Sequence, residues 1–399
     1  MTAEPAPSRA YPDALPVSGA WRPGDPVGNR RFVTVTDHRP FALEGGGALD
    51  DVVLAYETWG ALAADGANAV LVCHALTGDS HAAGRQGHGH ATAGWWDDMI
   101  GPGKPLDTER YFVVCANVLG GCQGSTGPSS IDPATSSPYG SRFPVVTSRD
   151  MVRAQARLAD RLGVRRWLTV IGGSMGGMQV IEWAVMFPDR VRSYVSLASC
   201  MASSAWQIAW SAVGRIALAL DPNWRGGDYY DAPAGEGPHR GLAVARAIAQ
   251  ITYRSDEVFR DRFDRDLVDP LDVFRLWDRF QVESYLDHHG VKLVRRFDAN
   301  SYLALNKAMD LHDIGRGRGG IDAAIRRVKA SALVVSISSD TLYPPYQQHD
   351  LRDALVRAGL RCRYHSIDSP QGHDGFLLEF DHIGPLVTDF LAEIEKHDA

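Results

Sequence analysis

The sequence predicts an α/β fold, a mostly parallel sheet flanked by helices and interrupted by a helical insertion. Three observations predict it. From residue 52 to about residue 200, short apolar runs alternate with segments of helical period, the mark of successive β-α-β units. The same alternation resumes after residue 330. Between the two stretches, about 120 residues read as helix alone, too many for a loop.

Taken in order, residues 52–56 and Ala69–Cys73 read as strands. The second is a continuous apolar run, as a strand buried on both faces requires. Residues 111–115 follow as a third. Thr147-x-x-Asp150 matches a capping box and starts a helix, with Val152, Ala156, Ala159 and Leu162 on one face and Gly163 as its stop. Next come strand 167–171, a glycine-rich turn, helix 178–186 ended before Pro188, and strand Val191–Leu197.

Trp206, Ala209, Trp210, Val213, Ile216, Ala217 and Leu220 then repeat at threes and fours, an amphipathic helix. Further helices are expected over 240–252, 256–265, 270–287 and 301–310. The closing α/β pattern is strand 333–337, helix 346–358, strand 361–366 and helix 383–396. The expected division is a flexible N-terminal segment over 1–28, a core domain from 29–200 and 325–399, and a helical domain over 201–324. The run Gly315-Arg316-Gly317-Arg318-Gly319-Gly320 reads as a mobile connector.

Composition narrows the function. Hydrophobic residues make up 45% and charged residues 22% of 399, which excludes wholesale disorder. The formal charge of -7 argues against a dedicated nucleic-acid binder. No apolar run is long enough to span a membrane, and the proline-rich opening lacks the apolar stretch of a signal peptide. The five cysteines are scattered without C-x-x-C spacing, so reduced thiols in a cytoplasmic protein are expected.

The chemistry centres on Gly172-Gly173-Ser174-Met175-Gly176, a G-x-S-x-G sequence between a strand and a helix. Such a turn is very sharp and lifts the serine hydroxyl above the sheet edge, at the positive end of the helix. A serine nucleophile needs a base, and the base an orienting acid. Asp340 directly follows strand 333–337, and His373 lies in a loop before the final helix, so both suit the order Ser, Asp, His. His74 follows a strand too and is the rival base, but it lies at the wrong end of that order. The Met175 amide and one from loop 74–78 would hold a developing oxyanion. His81, His88 and His90 invite a metal reading, yet their spacing fits no standard site, and no metal is expected.

Several segments resemble the homoserine O-acetyltransferase family. They are Gly172 to Gln179, Cys73-His74-Ala75-Leu76-Thr77-Gly78, and Gly94-Trp95-Trp96 with Gly101-Pro102-Gly103. Gly120-Gly121-Cys122-Gln123-Gly124-Ser125-Thr126-Gly127-Pro128 and Phe297-Asp298-Ala299-Asn300-Ser301-Tyr302 are similar too. The resemblance covers residues 30 to 395. It implies an α/β-hydrolase core with a helical lid and a homodimer formed through that lid. It also implies ping-pong transfer from acetyl-CoA to L-homoserine with no permanently bound cofactor. By the same resemblance Ser174, Asp340 and His373 are the triad, and the Leu76 and Met175 amides form the oxyanion hole. Arg246, Tyr253 and Asp374 match the family's substrate-binding residues. Arg246 and Tyr253 are seven residues apart, two turns of one helix. Three alternatives stay open: the same chemistry with succinyl-CoA, a plain carboxylesterase, and a non-catalytic ligand binder.

Overall fold

The computed structural model describes residues 15–269 and 279–396. Eight strands form one sheet: β1 Arg31–Thr34, β2 Val53–Trp59, β3 Ala69–Cys73, β4 Phe112–Ala116, β5 Trp167–Gly173, β6 Val191–Leu197, β7 Ser331–Ile337 and β8 Cys362–Ile367. Their order across the sheet is β1-β2-β4-β3-β5-β6-β7-β8. β2 runs antiparallel to both neighbours, and every pairing from β4 onward is parallel. β3 and β5 sit mid-sheet and are buried along their whole length, which is why their sequences are apolar or small throughout.

The helices are α1 Ser148–Arg161, α2 Met175–Met186, α3 Ala205–Ala219, α4 His239–Tyr253, α5 Asp256–Phe263, α6 Gln281–Val294, α7 Ala299–Asp310, α8 Ile321–Ile325, α9 Pro345–Arg357 and α10 Phe380–Lys396. The Thr147–Asp150 capping box opens α1 as expected. The strand pleat sends alternate side chains to opposite faces. Val70 and Val72 of β3 pack in one cluster with Phe390 and Leu391 of α10. Leu71 packs in the other, with residues of α1, α2 and α9. Helices α3 to α8 all lie between β6 and β7 in the chain. In that stretch α4 and α6 touch closely, because a Cβ on Gly290 would sit 2.9 Å from the Ala243 side chain.

Four expectations change. The N-terminal segment is not loose from residue 15 on: Leu15, Val17 and Ala20 are buried, and Ser18 Oγ donates to Asp298 Oδ1 at 2.7 Å. Residues 1–14 lie outside the described part. The Gly/Arg run 315–320 is anchored by charge. Arg318 pairs with Glu182 at 2.8 Å and Arg316 with Glu44 at 3.0 Å, while Arg149 bridges both carboxylates at 2.8 and 3.1 Å. The helix expected over 270–287 falls partly outside the described residues, and the described helix there is α6, beginning at Gln281. Strand β1 was not expected: it is a largely exposed edge without an apolar face to betray it. Among the described residues no helix is long and apolar enough to cross a membrane.

Candidate active site

Strand β5 turns into α2 at one residue. Ser174 occupies φ +57° and ψ −126°, a strained conformation for a residue with a side chain. The turn holds because its flanks are small: a Cβ on Gly176 would lie 2.1 Å from the Cys73 carbonyl oxygen of β3. The Ser174 amide donates to Leu197 O at 3.0 Å, and its carbonyl accepts from Ser199 Oγ at 2.8 Å. The serine is thus pinned, and it is buried.

Asp340 follows β7 and His373 follows β8, so both reach the carboxyl end of the sheet where Ser174 stands. Asp340 Oδ1 accepts the amides of Leu342 at 2.9 Å and Tyr343 at 2.8 Å. Its Oδ2 lies 2.7 Å from His373 Nδ1. A carboxylate only accepts, so Nδ1 carries the hydrogen and the neutral ring keeps its lone pair on Nε2. That Nε2 is buried and has no hydrogen-bond partner among the described residues. Tyr343 stacks on the imidazole at 4.8 Å and 20°, Phe376 meets it edge-on at 5.4 Å, and Tyr253 approaches at 5.9 Å. Tyr343 and Phe376 were not singled out as site residues; their only sequence signal is closeness to Asp340 and His373.

The loop after β3 is shaped by His74. Its Nδ1 donates to Ala75 O at 2.8 Å, and its Nε2 accepts the Val118 amide at 3.0 Å. Both nitrogens are committed, and burial pushes the ring's pKa down, so the rival base is a structural brace. Leu76 lies two residues beyond, buried. Met175 is the first residue of α2, where amides have no acceptor within the helix.

Helix α4 brings the other residues in. Arg246 Cζ stands 5.1 Å from the Tyr253 ring centroid. Arg246 is half-buried and makes no ion pair or hydrogen bond among the described residues. Asp374 is paired with a residue the sequence reading missed: Arg254 Nε lies 3.3 Å from Asp374 Oδ2. Arg254 Nη1 also donates to Gln371 Oε1 at 2.8 Å, and Ser255 Oγ donates to Pro370 O. The end of α4 therefore staples the loop that carries His373. Burial raises the Asp374 pKa above its ordinary range, against the pull of Arg254, Arg246 and His373.

Of the three clustered histidines the structure joins two. His88 is exposed, while His81 and His90 are buried beside Glu57. Their donor atoms and the Glu57 carboxylate lie within 4.8 Å of one another. The rings, however, stack in parallel at 3.7 Å and 10°, so their in-plane lone pairs do not converge. His81 Nδ1 is bonded to Glu57 Oε2 at 2.9 Å, and His90 Nε2 already accepts the Asn29 amide at 2.9 Å. Burial lowers the His81 pKa, but the bond and charge of Glu57 outweigh it and leave the ring more basic than usual.

Residues 68–380 match the family described as alpha/beta hydrolase fold. The homoserine O-acetyltransferase of Thermobifida fusca (strain YX) is 55% identical over 379 residues, 95% of this chain and 98% of its own length. The crystal structure of homoserine O-acetyltransferase from Bacillus anthracis superposes with a TM-score of 0.83 at 29% identity, over 91% of this chain and 97% of that one. The crystal structure of esterase E22 is similar at a TM-score of 0.82 and 29% identity, over 91% and 99%. Fold, pinned serine and near-full-length likeness agree, and the chain belongs to the homoserine O-acetyltransferase family of the α/β-hydrolase fold.

Proposed function

We propose that the protein moves the acetyl group of acetyl-CoA to the γ-hydroxyl of L-homoserine through an acetyl-Ser174 intermediate. His373 Nε2 takes the Ser174 proton as the oxygen attacks the thioester carbonyl, with the amides of Leu76 and Met175 facing the oxyanion. The tetrahedral intermediate collapses, the C–S bond breaks, and His373 returns the proton to the departing sulfur. The homoserine hydroxyl then gives its proton to His373 and attacks the acetyl carbon. Collapse breaks the bond to Ser174 Oγ, which recovers its proton. Asp340 holds the imidazole's tautomer throughout.

Arg246 is the observation that carries the acceptor. It is a half-buried cation left without a charged partner, next to Tyr253 and one ring from His373. An amino-acid carboxylate supplies the missing bidentate acceptor, and Asp374 takes its ammonium. Helices within 201–324 act as a lid that limits water, since water at the second step makes an esterase. The exposed Trp206 and Ile216 of α3, with Leu220 just past its end, suit a homodimer contact through that lid. The setting is cytoplasmic amino-acid biosynthesis, on the route to methionine. No metal or bound cofactor enters the scheme.

CoA release with and without homoserine tests this reading. Release that depends on homoserine, and is abolished in a folded Ser174→Ala variant, is expected. Equal release without homoserine favours the esterase to which the fold is also similar, and faster turnover of succinyl-CoA overturns the acetyl donor.

A further inference from the structure

A cavity of about 940 Å³ opens beside the oxyanion loop, with Thr77 and Gly78, the two residues after Leu76, in its wall. The proposed chemistry leaves it unused. Arg22, Lys292 and Arg295 line it, and none of the three side chains has an ion pair or hydrogen bond among the described residues. Asp25 and Asp79 also line it, but each has an oxygen engaged by a backbone amide, of Arg22 and of His81, both at 2.8 Å. Arg296 joins the cavity to the oxyanion loop by donating from Nη1 to Thr77 O at 2.7 Å. His81 and His90 line the cavity as well. Each is more than nine-tenths buried and keeps one ring nitrogen without a partner, Nε2 of His81 and Nδ1 of His90.

Homoserine does not account for this. A zwitterion needs one cation and one acid, which Arg246 and Asp374 match. A surplus of unpaired cations at a cavity mouth, backed by unpartnered imidazole nitrogens, suits a ligand with several phosphates. The acyl donor carries such a group at the end away from its thioester. We propose that this cavity binds the phosphate-bearing nucleotide end of the acyl-CoA, held by Arg22, Lys292 and Arg295, and so directs the thioester arm past Thr77 toward Ser174. This rests on the function proposed above and names where that reaction's donor docks.

The test compares acetyl-CoA with p-nitrophenyl acetate, a donor with no nucleotide, in the full chain and in the variant Lys292→Ala/Arg295→Ala. The ratio of kcat/KM for acetyl-CoA to that for p-nitrophenyl acetate is expected to fall tenfold or more in the variant. In the unaltered chain, 3′-phosphoadenosine 5′-diphosphate should compete with acetyl-CoA, and the variant should lose that inhibition. Arg22→Ala, on a different segment, should act in the same direction. An unchanged ratio with inhibition retained would overturn the docking site while leaving acetyl transfer intact. An unaltered chain that acylates Ser174 from neither donor would overturn the reading beneath it, and the proposal with it.

Discussion

Arg254 Nε lies 3.3 Å from Asp374 Oδ2, so the carboxylate proposed to take the substrate's ammonium already carries a guanidinium counter-charge. Burial raises the Asp374 pKa and Arg254 opposes it. Only the anion attracts an ammonium, so homoserine affinity is lost as pH falls through that raised pKa. Removing the guanidinium in Arg254→Gln moves the loss to higher pH. The expected result is a KM for homoserine that begins to rise at a higher pH in Arg254→Gln than in the unaltered chain, by about tenfold where the two profiles lie furthest apart, with Arg254→Lys recovering most of it. KM against pH for the three proteins decides it; a parallel fall of kcat alone would make Arg254 merely a clamp on the His373 loop.

Ser174 at φ +57° stores strain that glycine would not feel. Ser174→Gly is expected to unfold at a higher temperature, by about 1 kcal/mol in stability or more, with no transfer activity. Gly176→Ala goes the other way. Its methyl would collide with the Cys73 carbonyl oxygen, and a loss of about 3 kcal/mol or more is expected. Thermal and urea unfolding of both variants measure this.

Glu182 is 1% exposed and lies between Arg149 at 3.1 Å and Arg318 at 2.8 Å. Arg318→Ala leaves a buried carboxylate half-compensated, for which about 3 kcal/mol is expected from urea midpoints. Replacing Arg357, whose exposed pairing with Asp322 spans 3.4 Å, should change stability by about 0.5 kcal/mol or less.

His289 on α6 is driven from 6.5 to about 4, first by burial and then by the charges of Arg246, His288 and Lys292. Between those two values the unfolded chain binds a proton that the folded chain refuses. Stability therefore falls as pH drops through that window and is fully recovered above 6.5. His289→Asn should flatten that slope by ~1 kcal/mol, allowing for the ring's partial exposure. Urea unfolding at pH 7 and pH 4.5 gives the comparison.

The residues most legible in the sequence were those tied to strand ends. Ser174 and Asp340 each follow an apolar run that the sheet must bury, His373 lies in the loop after the last strand and before the final helix, and the structure brings all three to one end of the sheet. Arg254 escaped notice because its meaning lies in Asp374, 120 positions away, and nothing local marks it. The run 315–320 misled for the same reason: its glycines suggest freedom, but Arg316 and Arg318 answer to Glu44 and Glu182. The pairing of His81 was hidden in the same way, because its partner Glu57 comes from strand β2. Periodicity reports which face a residue shows to the core; it is silent on partners brought in by topology.

The N-terminal strap has a consequence for how the chain is made. The Gly19 amide reaches Phe297 O at 3.2 Å, Trp21 reaches Cys122 O at 2.9 Å, and Gln123 Nε2 spans Gly19 O and Arg296 O at 3.0 and 2.7 Å. Residues 15–21 are therefore translated long before half of their partners exist. Leu15 must wait until Gly235, whose amide it accepts, has left the ribosome, and Gly19 until the turn between α6 and α7 has followed. A segment synthesised early is then among the last to dock, and it seals a seam between the loop after β4 and the turn between α6 and α7.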